Sequence, residues 1–463
     1  MKTSAEYVFS SLSERSLCLA QSIEDDGADI YFTNISSDAL KTGYLAVTAK
    51  ESGFILQETD LHAVLSLLEP VERDLIIVLT GEENENIKNA ILLSGRYAGN
   101  SHVRVFCYSS SPESEYLIDG LNISGHQKHI HPMQLRRVLP VRREIYRTLS
   151  SDPPFDHAVT IHGECWINIV IAGLNEYGLE MLRAVLWFCQ MEGFFLRADV
   201  FDKDKDAEKR FAVLCPGIME RGFLPRMGED YYDLHFHPGC ETGTSDFTDK
   251  LRGLPEASQV FIDLGDDGDN IALAIRLRAF YAGLCMDKGI YASHARDAVQ
   301  TPLIQAVVRD DGRAALVDGN SLKNYKDQYY KICTVGRNSR VYSMKDLIDD
   351  PYERTALSLH SGALDPEAFE MHEYYRRSST ASAIHQEFRR KYIKDEEAMA
   401  VTEHRRWCAY MRSTEGYCYG TARDDLAKRH PSLTSYANLS KVEKEKDFRL
   451  NKDVSPSGEN QGI

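Results

Sequence analysis

The fold is decided by the stretch Trp166-Ile167-Asn168-Ile169-Val170-Ile171-Ala172, which leads directly into Gly173-Leu174-Asn175-Glu176-Tyr177-Gly178. The first segment is almost entirely apolar, as expected of a strand that is covered on both faces of a parallel sheet. The second segment places one glycine just after the strand and another at the start of an apolar helical pattern. This order of strand, tight turn and helix predicts the first β-α-β unit of a doubly wound α/β domain.

The alternation of strand and helix extends in both directions from this point. Further strands are predicted downstream at 196–201, 232–236, 259–264, 303–308 and 330–335, and upstream at 7–9, 30–33, 74–80 and 103–108. Strand signals stop near Pro351, and the remaining sequence has a helical pattern. We therefore predict an α/β chain with two tandem Rossmann-like doubly wound parallel sheets, followed by a small, mainly helical domain.

Breaks in composition suggest where these domains begin and end. The run Ser150-Ser151-Asp152-Pro153-Pro154 interrupts the first alternating pattern, and a tail rich in serine, proline and glycine closes the chain. The predicted parts are a Rossmann-like domain at 1–150, a second one at 151–350, a helical connector at 351–395, the helical domain at 396–450 and a disordered tail at 451–463.

Composition narrows the class of protein. The chain has 463 residues and a formal net charge of -16, which disfavours a nucleic-acid partner because polyanion binding needs a basic face. No apolar run approaches the roughly 18–20 residues that cross a bilayer, so no transmembrane segment is predicted. The ten cysteines are scattered without a C-x-x-C pair, which favours free thiols in a reducing, cytoplasmic compartment.

The turn at Gly173–Gly178 stands where a dinucleotide phosphate loop would stand. Gly173 and Gly178 permit a tight turn and close approach of phosphate to the helix N-terminus, whose N–H groups favour an anion. Asn175 replaces the middle glycine of the G-x-G-x-x-G pattern, and Asp202 ends the next strand, where a carboxylate accepts from ribose hydroxyls. These four residues are predicted to bind NAD(H) or a related nucleotide; the alternative is a Rossmann-like turn that holds no cofactor.

Other chemical motifs are weaker. His235 and His237 lie on the same side of a predicted strand and suggest a metal pair, although no second ligand pair has a recognisable spacing. Strand-end histidines without a metal are the alternative, and we predict no metal site. The chain has neither a G-x-S-x-G nucleophile elbow nor a P-loop, and no compact acid/base group is apparent, so no catalytic residue is assigned.

The C-terminal region is dense in rings and cations. On the helix predicted at 396–411, His404 and Trp407 share a face and Arg405 lies beside them. Tyr417, Tyr419 and Tyr436 are predicted to complete an aromatic slot, with Arg423 and His430 at a phosphate end. Aromatic rings stack on bases and arginines bind phosphates, so these residues predict a nucleotide pocket. In the alternative, Trp407, Leu433 and Tyr436 form the core of a small domain.

These residues also carry a family resemblance. The order E-H-x-x-W at Glu403–Trp407, Y-x-Y-G at Tyr417–Gly420, R-D-D at Arg423–Asp425, H-P-x-L at His430–Leu433 and then Tyr436 resembles the repeat domain of ryanodine receptors, the RyR domain. The resemblance runs from about Glu396 to Asp447, and Gly416-Tyr417 replaces the glycine–tryptophan pair usual in the family. Because bacterial RyR domains are linked to nucleotide signals, it implies an NAD-derived ligand, such as ADP-ribose, or another adenine nucleotide.

The first half resembles the TrkA-N or RCK-like nucleotide-binding domains that regulate potassium uptake and potassium channels. The resemblance is carried by Ile76–Thr80, Glu82–Asn86 and the helix through Ala90. It implies a homodimer whose partner is a membrane transporter or channel, so that the protein would reach the membrane through that partner.

Three functions are compatible with this reading of the sequence. The first is a non-catalytic nucleotide sensor in which a ligand in the C-terminal module, the second Rossmann cleft or both shifts the domain arrangement and controls a partner, in ion transport or in antiviral signalling. The second is an NAD(P)-linked oxidoreductase that uses the second Rossmann domain. The third is a structural adaptor with vestigial clefts.

Overall fold

The computed structural model describes residues 5–25, 27–68, 73–127, 133–219, 232–287, 301–321, 331–363 and 366–451. The chain divides into two compact units. Unit 1 consists of Met1–Pro140 and Asn338–Ser379, and unit 2 consists of Val141–Arg337 and Thr380–Ile463. The domain boundaries predicted above partition the chain differently and stay a prediction. All but the first residue of the tail predicted at 451–463 lies outside the described residues.

Unit 1 alternates strands and helices. Its N-terminal elements are β1 (Glu6–Phe9), α1 (Glu14–Gln21), β2 (Asp29–Phe32), α2 (Ser37–Thr42), α3 (Tyr44–Glu51), β3 (Ile55–Leu56), α4 (Leu61–Leu67), β4 (Leu75–Leu79), α5 (Glu83–Arg96), β5 (Val103–Tyr108), α6 (Pro112–Gln127) and β6 (Gln134–Val138). The six strands pair in parallel in the order β3-β2-β1-β4-β5-β6. This is the strand order of a doubly wound Rossmann-like sheet.

Unit 2 repeats the same topology. It contains α7 (Pro140–Ser151), β7 (Val159–Ile161), β8 (Glu164–Ala172), α8 (Glu176–Phe188), β9 (Phe194–Asp202), α9 (Ala207–Leu214), α10 (Pro216–Met219), β10 (Asp233–Pro238), α11 (Ser245–Arg252), β11 (Gln259–Ile262), α12 (Asp267–Asp287), β12 (Leu303–Val307), α13 (Asp311–Leu316) and β13 (Ile332–Val335). The strands follow the order β10-β9-β8-β11-β12-β13, all parallel, and β7 is added antiparallel to β8.

The remainder of the described chain is mainly helical. It comprises α14 (Asn338–Val341), α15 (Met344–Ile348), α16 (Pro351–Ala363), α17 (Pro366–Met371), α18 (Glu373–Tyr392), α19 (Glu396–Ser413), β14 (Cys418–Tyr419), β15 (Arg429–His430) and α20 (Lys441–Asn451). The predicted fold class, two doubly wound parallel sheets followed by a small helical region, is confirmed. No helix among the described residues is long and apolar enough to cross a bilayer.

Helix α8 positions the C-terminal region within unit 2. Ten of its residues are buried, because one side faces the sheet and another packs against α19. The indole of Trp187 meets the edge of the Tyr410 ring at 6.0 Å between centroids, and the Ser413 hydroxyl donates to the carbonyl of Arg183 at 3.0 Å. A helix that is apolar on most faces is expected to be buried on most faces.

Candidate functional site

Helix α19 supports the residues of the predicted nucleotide pocket. Asp395 caps its N-terminus by accepting from the amide of Ala398 at 2.8 Å. After Ser413 the chain turns through Gly416, whose φ of +72° lies in the region that glycine adopts without strain. The amide of Tyr417 then donates to the carbonyl of Met411 at 2.9 Å. The turn therefore brings Tyr417 back against the last turn of the helix.

Four predicted site residues form one aromatic cluster. Trp407 stacks on His404 at 5.8 Å between ring centroids and meets the edge of His430 at 5.1 Å. His404 also contacts the Tyr436 ring at 6.0 Å. His404 and Tyr436 are buried, whereas Trp407 and His430 are partly exposed. The rings accessible to a ligand are therefore those of Trp407 and His430.

His404 is held from both sides in the interior of the domain. Its Nε2 lies 2.8 Å from the carbonyl of Thr434, and its Nδ1 lies 3.5 Å from the carboxylate of Asp447. Burial alone would lower the pKa of His404, but the Cys408 sulfur and the Asp447 carboxylate raise it well above its ordinary value. A charged imidazole that donates at both nitrogens orients the Trp407 ring stacked on it.

Glu403, the first residue of the E-H-x-x-W motif, is part of a buried ionic group. It pairs with Arg406 on its own helix at 2.8 Å and with Arg389 of α18, and it accepts from the Ser382 hydroxyl at 2.8 Å. Burial raises the pKa of Glu403, but Arg389 and Arg406 lower it more, to about 2. Burial beside these arginines keeps the pKa of His385 well below its ordinary value, so its Nδ1 accepts from Arg389 at 2.9 Å.

A second group of predicted residues lies around the Asp425 carboxylate. The hydroxyl of buried Tyr417 donates to Asp425 at 3.1 Å, and exposed Arg423 donates to the same oxygen at 3.0 Å. Lys428 lies 4.8 Å above the Tyr417 ring. Burial and the neighbouring Asp425 raise the pKa of Tyr417, so it remains a neutral donor. Tyr417 thus braces the loop that carries Arg423.

The remaining predicted residues hold peripheral positions. Tyr419 is partly exposed on β14, and its carbonyl accepts from Arg429 at 3.1 Å. The next residue is glycine because a Cβ at Gly420 would lie only 2.7 Å from the Cβ of Arg429. Arg405 is partly exposed on α19, and its role in a ligand site stays a prediction.

His430 lies between the ring cluster and the charged group. Burial and the nearby Arg423 lower its pKa, while Glu443 and Asp425 oppose the shift. Its Nδ1 lies 3.1 Å from the amide of Ser432, so this nitrogen accepts and the neutral ring carries its proton on Nε2. His430 is therefore a neutral ring with a donor nitrogen. It lies near the Arg423–Asp425 pair and near Glu443 and Lys446 of α20.

The predicted phosphate loop of the second sheet is hydrogen-bonded within the protein. Gly173 has a φ of +90°, and Asn175 donates through its side chain to the carbonyl of Asp263 at 2.7 Å. The amide of Gly178 donates to the Asp263 carboxylate at 3.0 Å, and the carboxylate of Asp202 accepts from Leu174 at 2.6 Å. Three of these residues therefore meet at Asp263, which the sequence did not single out.

The histidines considered for a metal pair each lie beside a carboxylate. His235 lies 2.8 Å from Asp233, and His237 lies 2.9 Å from Asp199. Across the described ranges, no three histidine, cysteine, aspartate or glutamate side chains come together as a metal site would require.

Comparison with known proteins supports the resemblance in the C-terminal region. The family model of the RyR domain matches residues 384–455, a minority of the chain. The match begins before the predicted Glu396 and therefore includes Arg389 and His385, which surround Glu403. A search of curated proteins gave no match, and the TrkA-N resemblance of the first half has no family match. Below, RyR domain denotes residues 384–455.

Proposed function

We propose that the RyR domain binds a nucleotide, of the adenine or NAD-derived class, and that the protein is a non-catalytic sensor of this ligand. The observation that carries the proposal is the partly exposed Trp407 ring, fixed by His404 on one side and His430 at its edge. Stacking of a base on such a ring contributes roughly 1–3 kcal/mol. A ring that is already oriented loses little conformational entropy on binding.

Charges at the edge of the ring cluster favour a ligand that carries phosphates. Arg423 is paired with Asp425 on the surface, its side chain 50% exposed. An exposed ion pair of this kind contributes only about 0–1 kcal/mol, so a phosphate can replace Asp425 at small cost. Arginine offers planar, bidentate donors that match phosphate. The neutral His430 adds a donor nitrogen between the base and phosphate positions.

The most direct test of this proposal is mass spectrometry of small molecules released from the purified protein. A thermal-shift panel of NAD, ADP-ribose, cyclic ADP-ribose, ATP and cyclic dinucleotides then ranks the ligands. A ligand at 100-fold its Kd should stabilise the folded protein by about 2.7 kcal/mol. A flat response across the panel would favour the structural adaptor, and turnover of NADH or NADPH with carbonyl substrates would favour the oxidoreductase.

Tryptophan fluorescence locates the site, because the chain has only three tryptophans. Trp187 is fully buried, and Trp166 is partly exposed against Phe195 at 5.2 Å. We expect the ligand to quench wild type and Trp166→Phe alike, and to leave Trp407→Leu unquenched. Affinity should fall roughly 5- to 150-fold in Trp407→Leu. Full quenching without Trp407 would exclude this site.

Arg423→Gln tests the phosphate end separately. The variant should bind ADP-ribose more weakly but bind adenosine, which has no phosphate, as the wild type does. Arg252→Gln is a matched control, since Arg252 is also exposed and paired with a nearby aspartate, Asp249 at 3.1 Å. Equal losses for adenosine and ADP-ribose would assign Arg423 to the fold of the loop instead.

The partner of the sensor is the part of the proposal that rests on resemblance alone. The TrkA-N or RCK-like resemblance of the first half supports a homodimeric, cytoplasmic regulator of a membrane transporter or channel, and a nucleotide ligand is compatible with antiviral signalling. A ligand controls a partner only through different affinities for two arrangements of the protein. Crosslinking of the partner with and without ligand tests this, and an unchanged crosslinking yield would exclude ligand control.

A further inference from the structure

The N-terminus of α8 is capped by a carboxyl group of the protein itself. The amides of Tyr177 and Gly178 both donate to one oxygen of the Asp263 carboxylate, at 2.9 and 3.0 Å. These are the free N–H groups with which a helix N-terminus binds phosphate in a dinucleotide site. Asp263 follows β11, the strand beside β8 at which the order of the sheet reverses, and this is where α/β sheets bind ligands.

The loop packs closely onto Asp263. A Cβ at Gly173 would lie 2.0 Å from the carbonyl oxygen of Asp263, and a Cβ at Gly178 would lie 2.1 Å from that of Gly173. The side chain of Asn175, at the position of the middle glycine, is bound to the same Asp263 carbonyl. The glycines of this turn thus permit close packing onto the backbone of Asp263 and of the turn itself.

Because Asp263 is buried, its carboxyl needs the amides of α8 as donors, and these amides need the carboxyl as their acceptor. Asp263 is 0% exposed, and burial raises the pKa of its carboxyl, whereas the amides of Gly178 and Tyr177 and the nearby Arg309 lower it. An isolated buried carboxylate is costly unless hydrogen bonds and a favourable field compensate. Two amides and the positive end of the helix dipole supply part of that compensation. Removing the carboxylate would therefore leave the two donors without an acceptor.

We infer that Asp263 is an internal substitute for phosphate, which keeps the switch-point cleft of the second sheet closed to nucleotides. The second sheet then acts as a fixed platform for the RyR domain. Its helix α8 is held at the N-terminus by Asp263, and further along it holds α19 through Trp187 and Arg183. This inference concerns a different part of unit 2 from the ligand site proposed above and does not depend on it.

Hydrogen exchange on the wild-type protein tests the closed cleft directly. We expect the amides of Tyr177 and Gly178 to be protected without any ligand. Their exchange should stay unchanged in about 10 mM NAD or inorganic pyrophosphate, a concentration that would reveal even weak binding. Increased protection of these two amides by either compound would show that the cleft is open and would overturn the inference. Protection confined to the RyR domain would concern the other proposal alone.

Asp263→Ala tests whether the vacated site has the shape of a phosphate site. We expect a loss of melting temperature that inorganic pyrophosphate partly reverses, by about 2–4 °C more than in the wild type at matched ionic strength. Asp395→Ala removes the same charge and uncovers the N-terminus of another helix, so it should show only the wild-type shift. A pyrophosphate effect equal in all three proteins would overturn the inference.

If Asp263→Ala does not fold, hydrogen exchange on the wild-type protein still tests whether the cleft is closed. Asp263→Asn adds a second measurement, because the amide keeps the volume of the carboxylate and loses its charge. We expect this variant to melt earlier than the wild type and to bind pyrophosphate no better, since its side chain still occupies the site. Strong pyrophosphate stabilisation of Asp263→Asn would contradict occupation by the side chain.

Discussion

Glu403 and His404 are adjacent on α19 and bring opposite charges into the interior of the RyR domain. Glu403 is 1% exposed and His404 is 2% exposed, and each is satisfied by partners from other segments of the domain. Buried charges are tolerated only with such partners, and their positions are consequently strict. These motif residues thus specify the domain, whereas Trp407, His430 and Arg423 remain accessible for a ligand.

Glu403→Gln should destabilise the domain strongly. The variant leaves Arg389 and Arg406 buried with no carboxylate between them, and breaking a buried ion pair costs about 3–5 kcal/mol. Urea unfolding at neutral pH measures the loss, and Glu397→Gln on the exposed first turn of the same helix should cost less than about 1 kcal/mol.

The pH dependence of this difference follows from the direction of the pKa shift. The two arginines lower the pKa of Glu403 from 4.5 to about 2 in the folded state, so its contribution is complete above 4.5 and is lost as the pH falls towards 2. A difference between wild type and Glu403→Gln that grew on acidification would contradict this assignment.

The raised pKa of His404 predicts the opposite pH dependence, a loss of stability as the pH rises. Its folded pKa is raised well above its ordinary value of 6.5, so its contribution is complete below pH 6.5 and is lost as the pH rises through the folded pKa. We expect His404→Gln to flatten the stability profile on the alkaline side, measured by urea unfolding at several pH values. A profile that His404→Gln left unchanged would argue against this assignment.

At the scale of elements, the sequence predicted β4, whose burial is continuous, and missed β6, whose arginines pair with residues of other elements. Strand β4 is buried at all five residues, and its apolar run was recognisable without a structure. Strand β6 contains Arg136 and Arg137, which suggested no strand. Arg137 is paired with Glu115 of α6 at 2.8 Å, and Arg136 pairs with Glu370 of α17 at 2.5 Å. Partners so far away along the chain are not visible in a local pattern.

The sequence predicted which residue types form the candidate site, but not which of them are buried and which stay accessible to a ligand. Side chains of the same kind, such as Tyr417 and Tyr419, differ in burial because one ends a helix cap and the other lies on a short strand. Asp263 was missed for a similar reason, since it reaches Gly178 across 85 residues of sequence. Only the parallel arrangement of β8 and β11 brings the two together.

Gly217→Ala is a prediction about how α10 packs against the RyR domain. A Cβ at Gly217 would lie 2.1 Å from the carbonyl oxygen of Tyr417 and 3.0 Å from Arg412. Backbone cannot yield as a flexible side chain does, so we expect a loss of about 1–3 kcal/mol. Gly95→Ala in α5 has nothing within 4 Å of its new Cβ and should be neutral or stabilising by up to about 1 kcal/mol. Equal losses in thermal unfolding would show that no close packing exists at α10.

At the scale of the whole molecule, each unit has hydrophobic clusters of its own. In unit 1, one cluster joins Phe9 and Phe32 to Tyr342 and Met344 of the returning segment, and a second surrounds β4 and β5. In unit 2, the cluster between Val170 and Ile332 closes the second sheet. Continuous cores with this separation are typical of separate cooperative units.

Unfolding of the full chain should therefore proceed in two transitions that respond to different substitutions. Glu403→Gln is expected to lower the transition of unit 2. Arg137→Gln, which removes one of the arginines that pair with Glu115 and buried Glu373 in unit 1, is expected to lower the other. A nucleotide that binds the RyR domain should raise only the unit 2 transition, because binding stabilises the cooperative unit that contains the site. Calorimetry gives both midpoints, and hydrogen exchange of β4 and β8 assigns each midpoint to its unit. One transition that all three perturbations move together would mean that the chain unfolds as a single cooperative body.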